Sequence, residues 1–213
     1  MPRVSREQTA ANREAIEDVS ARLFREQGIN GVSVADLMAA AGLTHGGFYG
    51  HFASKDDLAA VACAHAFGQS AARRTKWRKP TSDTESAMQE MVNRYLSIRH
   101  RDGAGDGCPA VALAADVARE ASDKPVRAAY LAGIKAMAAG IEALCAGETA
   151  QQRREQALAR MATMVGALLL ARATSGDPLS AEILIAARAA LSPASVRPVR
   201  VMRPRVPRSS RPA

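Results

Sequence analysis

Ser33 to Leu58 reads SVADLMAAAGLTHGGFYGHFASKDDL, and the order of caps, glycines and aromatics within it decides the fold. Ser33 fits an N-cap with Asp36 three residues on, ahead of Val34, Leu37, Met38 and Ala41 at helical spacing, which predicts a helix of about two turns. Gly42 breaks that helix, and Thr44 stands where it would cap the next one. Ser54 and Asp57 repeat the cap arrangement before Leu58. Between the two caps lies THGGFYGHF, residues 44–52, with glycine at 46, 47 and 50. Each such glycine costs about 1 kcal/mol relative to alanine in a helix interior. Phe48 and Phe52, four apart, nevertheless read as core anchors of a short helix.

Working outward, residues 6–27 carry Ile16, Val19, Ser20, Leu23 and Phe24 on one helical face, with Arg13, Glu14, Glu17, Asp18, Arg22 and Arg25 largely off it. Gly28 ends that helix as a C′ glycine. After Ser54 a longer helix with Leu58, Val61, Ala62 and a structural His65 on one face is expected to reach Arg73, Arg74, Lys76, Arg78 and Lys79, with Pro80 as its stop. Four further apolar stripes follow: Met88 to Leu96, Tyr130 to Leu144, Met161 to Leu169 and Ile183 to Leu191. The loop DGAGDG at 102–107 separates the first two, with a short helix after Pro109, and TSGDP at 174–178 separates the last two. No segment alternates apolar and polar residues as a half-buried strand does, so the fold class is all-α.

The net charge is +8, which resembles a nucleic-acid footprint until its distribution is examined. Residues 196–213 hold six arginines and no acid, and the rest of the chain carries only +2. Residues 1–67 hold six basic and eight acidic side chains. Charge alone therefore does not establish DNA binding. Cys63, Cys108 and Cys145 are far apart, odd in number and without a CxxC pair, which points away from disulfides and zinc. No apolar run approaches the roughly 18 residues of a membrane span, and the N-terminus is polar, so a cytoplasmic location without membrane contact is expected.

Three closely spaced helices, the second and third joined by Ala41-Gly42-Leu43, form a helix-turn-helix frame. The 33–58 string resembles the DNA-binding module of the TetR/AcrR family of one-component transcriptional regulators, with glycine, aromatic, His-Phe and Ser-Lys positions agreeing together over about residues 12–67. The resemblance implies a helix-turn-helix domain at 1–53, a connecting helix at 54–79 and a helical ligand-binding and dimerisation domain at 80–192, while the Pro- and Arg-rich composition of 193–213, with almost no apolar periodicity, predicts a disordered tail. It implies phosphate contacts from Ser33, Thr44, Tyr49, His51 and Lys55, and base-edge contact from His45, with Gly46 and Gly47 allowing close backbone approach. Gly47 and Gly50 depart from the family pattern, which favours Thr or Ser and a bulkier residue there, so DNA shape and backbone contacts carry more of the specificity.

The implied protein is a dimeric repressor of a palindromic double-stranded DNA operator, released by a small apolar effector, with no cofactor or metal. The two-fold interface falls to helices at about 151–173 and 180–191, whose Ala157, Ala162, Gly166, Ala167, Ala171, Ala186 and Ala187 permit close approach or else serve packing within one chain. Candidate pocket residues are Met88, Met91, Tyr95, Tyr130, Met137, Met161 and Met164, all of which also suit plain core. Cys108, between a glycine loop and a helix start, is either a sensor of oxidants and electrophiles or a small buried thiol. A DNA-binding protein without an effector is the remaining regulatory alternative. Catalysis is not expected: no nucleophile-base motif or metal cluster stands out, although His100 and Cys108 are only eight residues apart.

Overall fold

The computed structural model describes residues 6–77 and 83–192. Every regular element among them is helical: α1 Arg6–Gln27, α2 Val34–Ala40, a 310 helix His45–Gly50, α3 Lys55–Trp77, α4 Thr84–Tyr95, α5 Ile98–Asp102, α6 Pro109–Ala112, α7 Ala114–Arg119, α8 Pro125–Glu142, α9 Ala150–Ala173 and α10 Pro178–Leu191. Arg78, Lys79 and Pro80, expected to close the connecting helix, lie outside the described residues, as does the tail from 193.

Local chemistry sets the boundaries. Gly28 takes a φ of 80° and its amide donates to the Phe24 carbonyl at 3.0 Å, ending α1. At the end of α2, Gly42 has a φ of 72° and its amide donates to Ala39, while the Leu43 amide reaches back to Met38 at 2.9 Å. These two bonds are a Schellman cap, which reverses the chain while satisfying carbonyls that the helix leaves open. Ser33 and Thr149 head complete capping boxes, and Asp83, Ser97 and Asp177 cap by side chain alone.

A continuous apolar cluster runs from Ile16 on α1 through Leu37, Met38, Phe48 and Phe52 to Leu58 and Phe67 on α3, and on to Met137, Met164, Leu168 and Leu184. The long helix α3 joins its parts, packing on α1 and on α8. At the α3–α8 crossing the Phe67 ring lies directly on Gly133, where a Cβ would fall 2.2 Å from Cδ2. Tyr130 borders the same ring edge-on at 5.7 Å and donates its hydroxyl hydrogen to the Ala110 carbonyl at 2.8 Å.

Arg25 departs from the expectation that it lies off the apolar face of α1. It is only 4% exposed. Its guanidinium donates to Gln69 Oε1 on α3 at 2.9 Å and to the Gly107 carbonyl at 3.4 Å. A long side chain can cross a seam that helical periodicity assigns to solvent. Desolvation, then the Arg73 charge, pull its pKa below the ordinary arginine value, to about 10. Near it, Asp18 of α1 accepts from Gln69 and pairs with His65 at 2.6 Å, so His65 bridges two helices.

His100 fastens the loop between α5 and α6. The Tyr95 carbonyl can only accept, so Nδ1–H donates to it at 2.7 Å; the Cys108 amide can only donate, so Nε2 accepts from it at 3.0 Å. The ring is therefore neutral, and it meets the backbone of Cys108 through the nitrogen that a base would need. Burial depresses its pKa from 6.5 to about 4; the Tyr95 bond opposes the shift, and Arg172 and Arg73 add to it.

Two predictions follow from this packing. Gly133→Ala should destabilise the protein by about 1–3 kcal/mol in denaturant unfolding, whereas Gly140→Ala on the same helix, where a Cβ meets nothing within 4 Å, should not. For His100 the unfolded ring binds a proton near 6.5 and the folded ring only near 4, so its contribution is complete above the higher value and is lost as pH falls through the window. Between pH 7 and 4.5 the wild type should lose about 2–3 kcal/mol more stability than His100→Gln; equal losses in the two proteins would refute the assignment.

Candidate nucleic-acid interface

The segment after the Schellman turn folds as the short helix that Phe48 and Phe52 suggest, in the 310 form. Thr44 occupies its N-cap position with an extended backbone, but makes no side-chain capping bond. The Gly47 amide reaches the Thr44 carbonyl at 3.0 Å, and the amides of His51 and Phe52 both reach Phe48. With glycine at three of six positions, the low intrinsic helicity lets the tighter and shorter form win. What holds the segment is tertiary packing. Phe48 and Phe52 are buried, 5.9 Å apart. Arg13 of α1 sits over the Phe52 ring at 4.3 Å and donates to the His51 carbonyl. Arg13 was not singled out from sequence; its only signal there is a position one turn from the apolar face of α1.

The outer edge of this segment is open. Thr44, His45 and Gly46 are exposed, and Tyr49 is 70% exposed, its ring edge-on to Phe48 at 5.2 Å. His51 and Lys55 are half-buried at the far end and at the first turn of α3. None of the three glycines has positive φ. A Cβ at Gly46 or Gly50 would meet nothing within 4 Å, and one at Gly47 would make ordinary contact with Met38 Cε at 3.7 Å and Thr44 Oγ1 at 3.8 Å. Neither backbone geometry nor internal packing therefore requires glycine at these positions.

Ser33 stands differently from its expected role. Its hydroxyl donates to Asp36 Oδ2 at 2.5 Å and accepts the Asp36 amide at 3.1 Å. Its donor is thus spent on a carboxylate, which that bond and a second from the Ser33 amide hold below the usual range and so keep charged. A phosphate meets there a filled cap and a negative neighbour. At α3 the Asp57 amide is likewise taken by Ser54 Oγ at 3.1 Å, the cap that the spacing of Ser54 and Asp57 predicts.

In the other half, a cavity of about 280 Å³ lies between α3, α4, α8 and α9. Met91, Tyr95, Met137 and Met164 line it, together with Ile141 and Leu144. Met88, Tyr130 and Met161 do not: Met88 is core, Tyr130 packs on Phe67, and Met161 lies against the cluster. Cys108 is 2% exposed, at the head of the four-residue α6, without a side-chain capping bond. One turn of helix supplies little dipole to activate a thiol, so the physical basis for a sensing role is weaker than the sequence suggested. Among the described residues no group of three or more His, Cys, Asp or Glu could hold a metal ion, and no helix is long and apolar enough to cross a membrane.

Residues 16–62 match the family model of bacterial regulatory proteins, tetR family. The HTH-type transcriptional regulator AcrR of Shigella flexneri is 40% identical over 58 residues, a stretch that spans 27% of this chain and 27% of that relative. A TetR transcriptional regulator from Chloroflexus aurantiacus J-10-FL superposes with a TM-score of 0.71 at 27% identity, covering 87% of this chain and 94% of its own. A TetR-family regulator from Cytophaga hutchinsonii gives 0.72 at 19% identity, over 89% and 96%. The matched segment coincides with the Schellman turn, the glycine edge and their supporting helices, so this part of the chain is a tetR-family DNA-binding module, and the chain as a whole shares the fold of TetR-family regulators.

Proposed function

We propose that the protein is a dimeric one-component transcriptional regulator, a repressor that grips a palindromic operator with its 310 segment and lets go when a small molecule fills the cavity beneath α4. The observation that carries the DNA half is the glycine edge. Gly46, Gly47 and Gly50 stand where neither φ nor packing requires them, which fits a surface thinned for close backbone approach to a partner. Thr44, His45, Tyr49, His51 and Lys55 border that edge as phosphate and base contacts, whereas Ser33 acts as the cap of α2 and not as a phosphate ligand. In this reading 1–53 is the DNA-binding unit, α3 the connector and 80–192 the regulatory unit.

Dimerisation draws support from α9 and α10. Ala157, Ala167, Ala171 and Ala187 are buried within the chain, so that part of the small-residue set belongs to its own core. Ala162 and Ala186 instead face outward, beside exposed Leu169, Leu170, Leu179 and Ile185. Two such faces from each chain make a four-helix interface, and a two-fold axis there suits half-sites about 34–36 Å apart. The cavity favours effector response over control by abundance alone: ligand that fits one spacing of the recognition segments better than another shifts the population toward it.

Selection of bound sequences from a random DNA library should return a palindrome; a chain that selects no site would overturn the reading. Leu169→Arg combined with Ile185→Arg should yield a folded monomer by sedimentation and circular dichroism, with operator affinity lost. Gly47→Ala should leave the fold as stable or raise its stability by up to about 1 kcal/mol while weakening operator binding in gel-shift titration. Unchanged DNA affinity would remove the close-approach account.

A further inference from the structure

The expected effector was purely apolar, because no converging charge is visible along the sequence. The fold supplies that charge. The apolar cavity opens into a wider groove of about 1140 Å³, and Arg74, Glu90, Met91, Arg94 and Tyr95 belong to the walls of both. Around the groove stand Arg73, Arg74, Arg94 and Arg99 against the acids Glu90 and Asp106. Two of those cations are engaged: Arg94 with Glu90 at 2.7 Å, and Arg73 with the Asp106 carbonyl.

Arg74 is different. Its guanidinium donates to Ser70 Oγ at 2.8 Å, and among the described residues it has no carboxylate in ion-pair contact. Desolvation lowers its pKa, so it is a cation held partly out of water without a counter-charge. Tyr95 beside it is 6% exposed, and its buried hydroxyl makes no strong hydrogen bond, only a weak contact with the Cys108 thiol. Burial first, and then the Cys108 thiol, hold the phenol protonated and therefore a donor, with Arg172 and Arg74 opposing. A buried donor without a strong partner, next to a partly buried guanidinium without a counter-charge, calls for one acceptor of negative charge.

We infer that the effector is a small amphipathic carboxylate, its carboxylate held by Arg74 and the Tyr95 hydroxyl and its apolar body seated among Met91, Met137, Ile141, Leu144 and Met164. This rests on the regulator reading only for its consequence. The anion site itself is carried by the two side chains. A planar guanidinium and one phenolic donor suit a carboxylate, whose two oxygens can accept from both. At about 280 Å³ the enclosed part sits at the low end of small-molecule sites, which favours a compact body.

Calorimetric titration of the full-length protein without DNA tests this directly, with octanoate and 2-naphthoate compared with 1-octanol and 2-naphthalenemethanol. The acids should bind saturably, at least about tenfold tighter than the alcohols of like shape. Arg74→Gln should abolish that preference, and Tyr95→Phe, which removes a single oxygen and keeps the ring, should reduce it severalfold. Failure of both acids to bind below about 1 mM, alcohols binding as well as acids, or an acid preference intact in both variants would each overturn the assignment. Because no DNA is present, these outcomes are separate from the operator selection that tests the regulator itself.

Discussion

The contact between the Phe67 ring and the bare backbone of Gly133 fixes how closely α3 can approach α8, and most of the architecture depends on that approach. Helix α3 carries the wall of the cavity on one side and packs on α1 on the other. A helix is stiff along its axis, and a close-packed seam transmits displacement instead of absorbing it. The buried Arg25 adds a second tie, from α1 to Gln69 on α3 and to Gly107 in the loop that borders the groove. The two ends of the molecule are thus joined by one helix and one polar bridge within a continuous apolar cluster.

Around that frame the molecule concentrates its departures from local preference. The 310 segment gives up helical propensity at three positions and is held by Phe48, Phe52 and Arg13 instead. The groove leaves a guanidinium and a phenol without full partners. Buried polar groups without partners are costly, and in a chain otherwise well capped they stand out as places where something outside the chain completes the structure.

Much of this was legible in the sequence, for a physical reason: caps and turns are short-range. Ser33 with Asp36, Gly42 in its turn, and Ser54 with Asp57 each act over three or four residues, so spacing alone exposes them. The burial of Arg25 was not legible, because its partners lie 44 and 82 residues away. Gly133 looked like any helical glycine until Phe67 was placed on it. The cationic groove escaped notice because Arg74, Arg94 and Arg99 come from three helices, and only their packing makes one site of them. Helical spacing likewise could not separate Met91, Met137 and Met164, which line the cavity, from Met88, which fills the core, and Met161, which packs against it. The 310 geometry was hidden by its two phenylalanines, whose i, i+4 spacing is the same whether an α-helix or a tighter turn brings them to the core.

The freedom around Gly46 and Gly50 has a consequence for descent as well as for binding. A Cβ added at either site meets no atom beyond its own chain neighbourhood within 4 Å and needs no unusual backbone angle. Changes there are decoupled from folding, so successive variants can sample different side chains on this edge while the domain beneath keeps its stability. A lineage built on this scaffold can vary this edge in single steps, with no compensating mutation in the core.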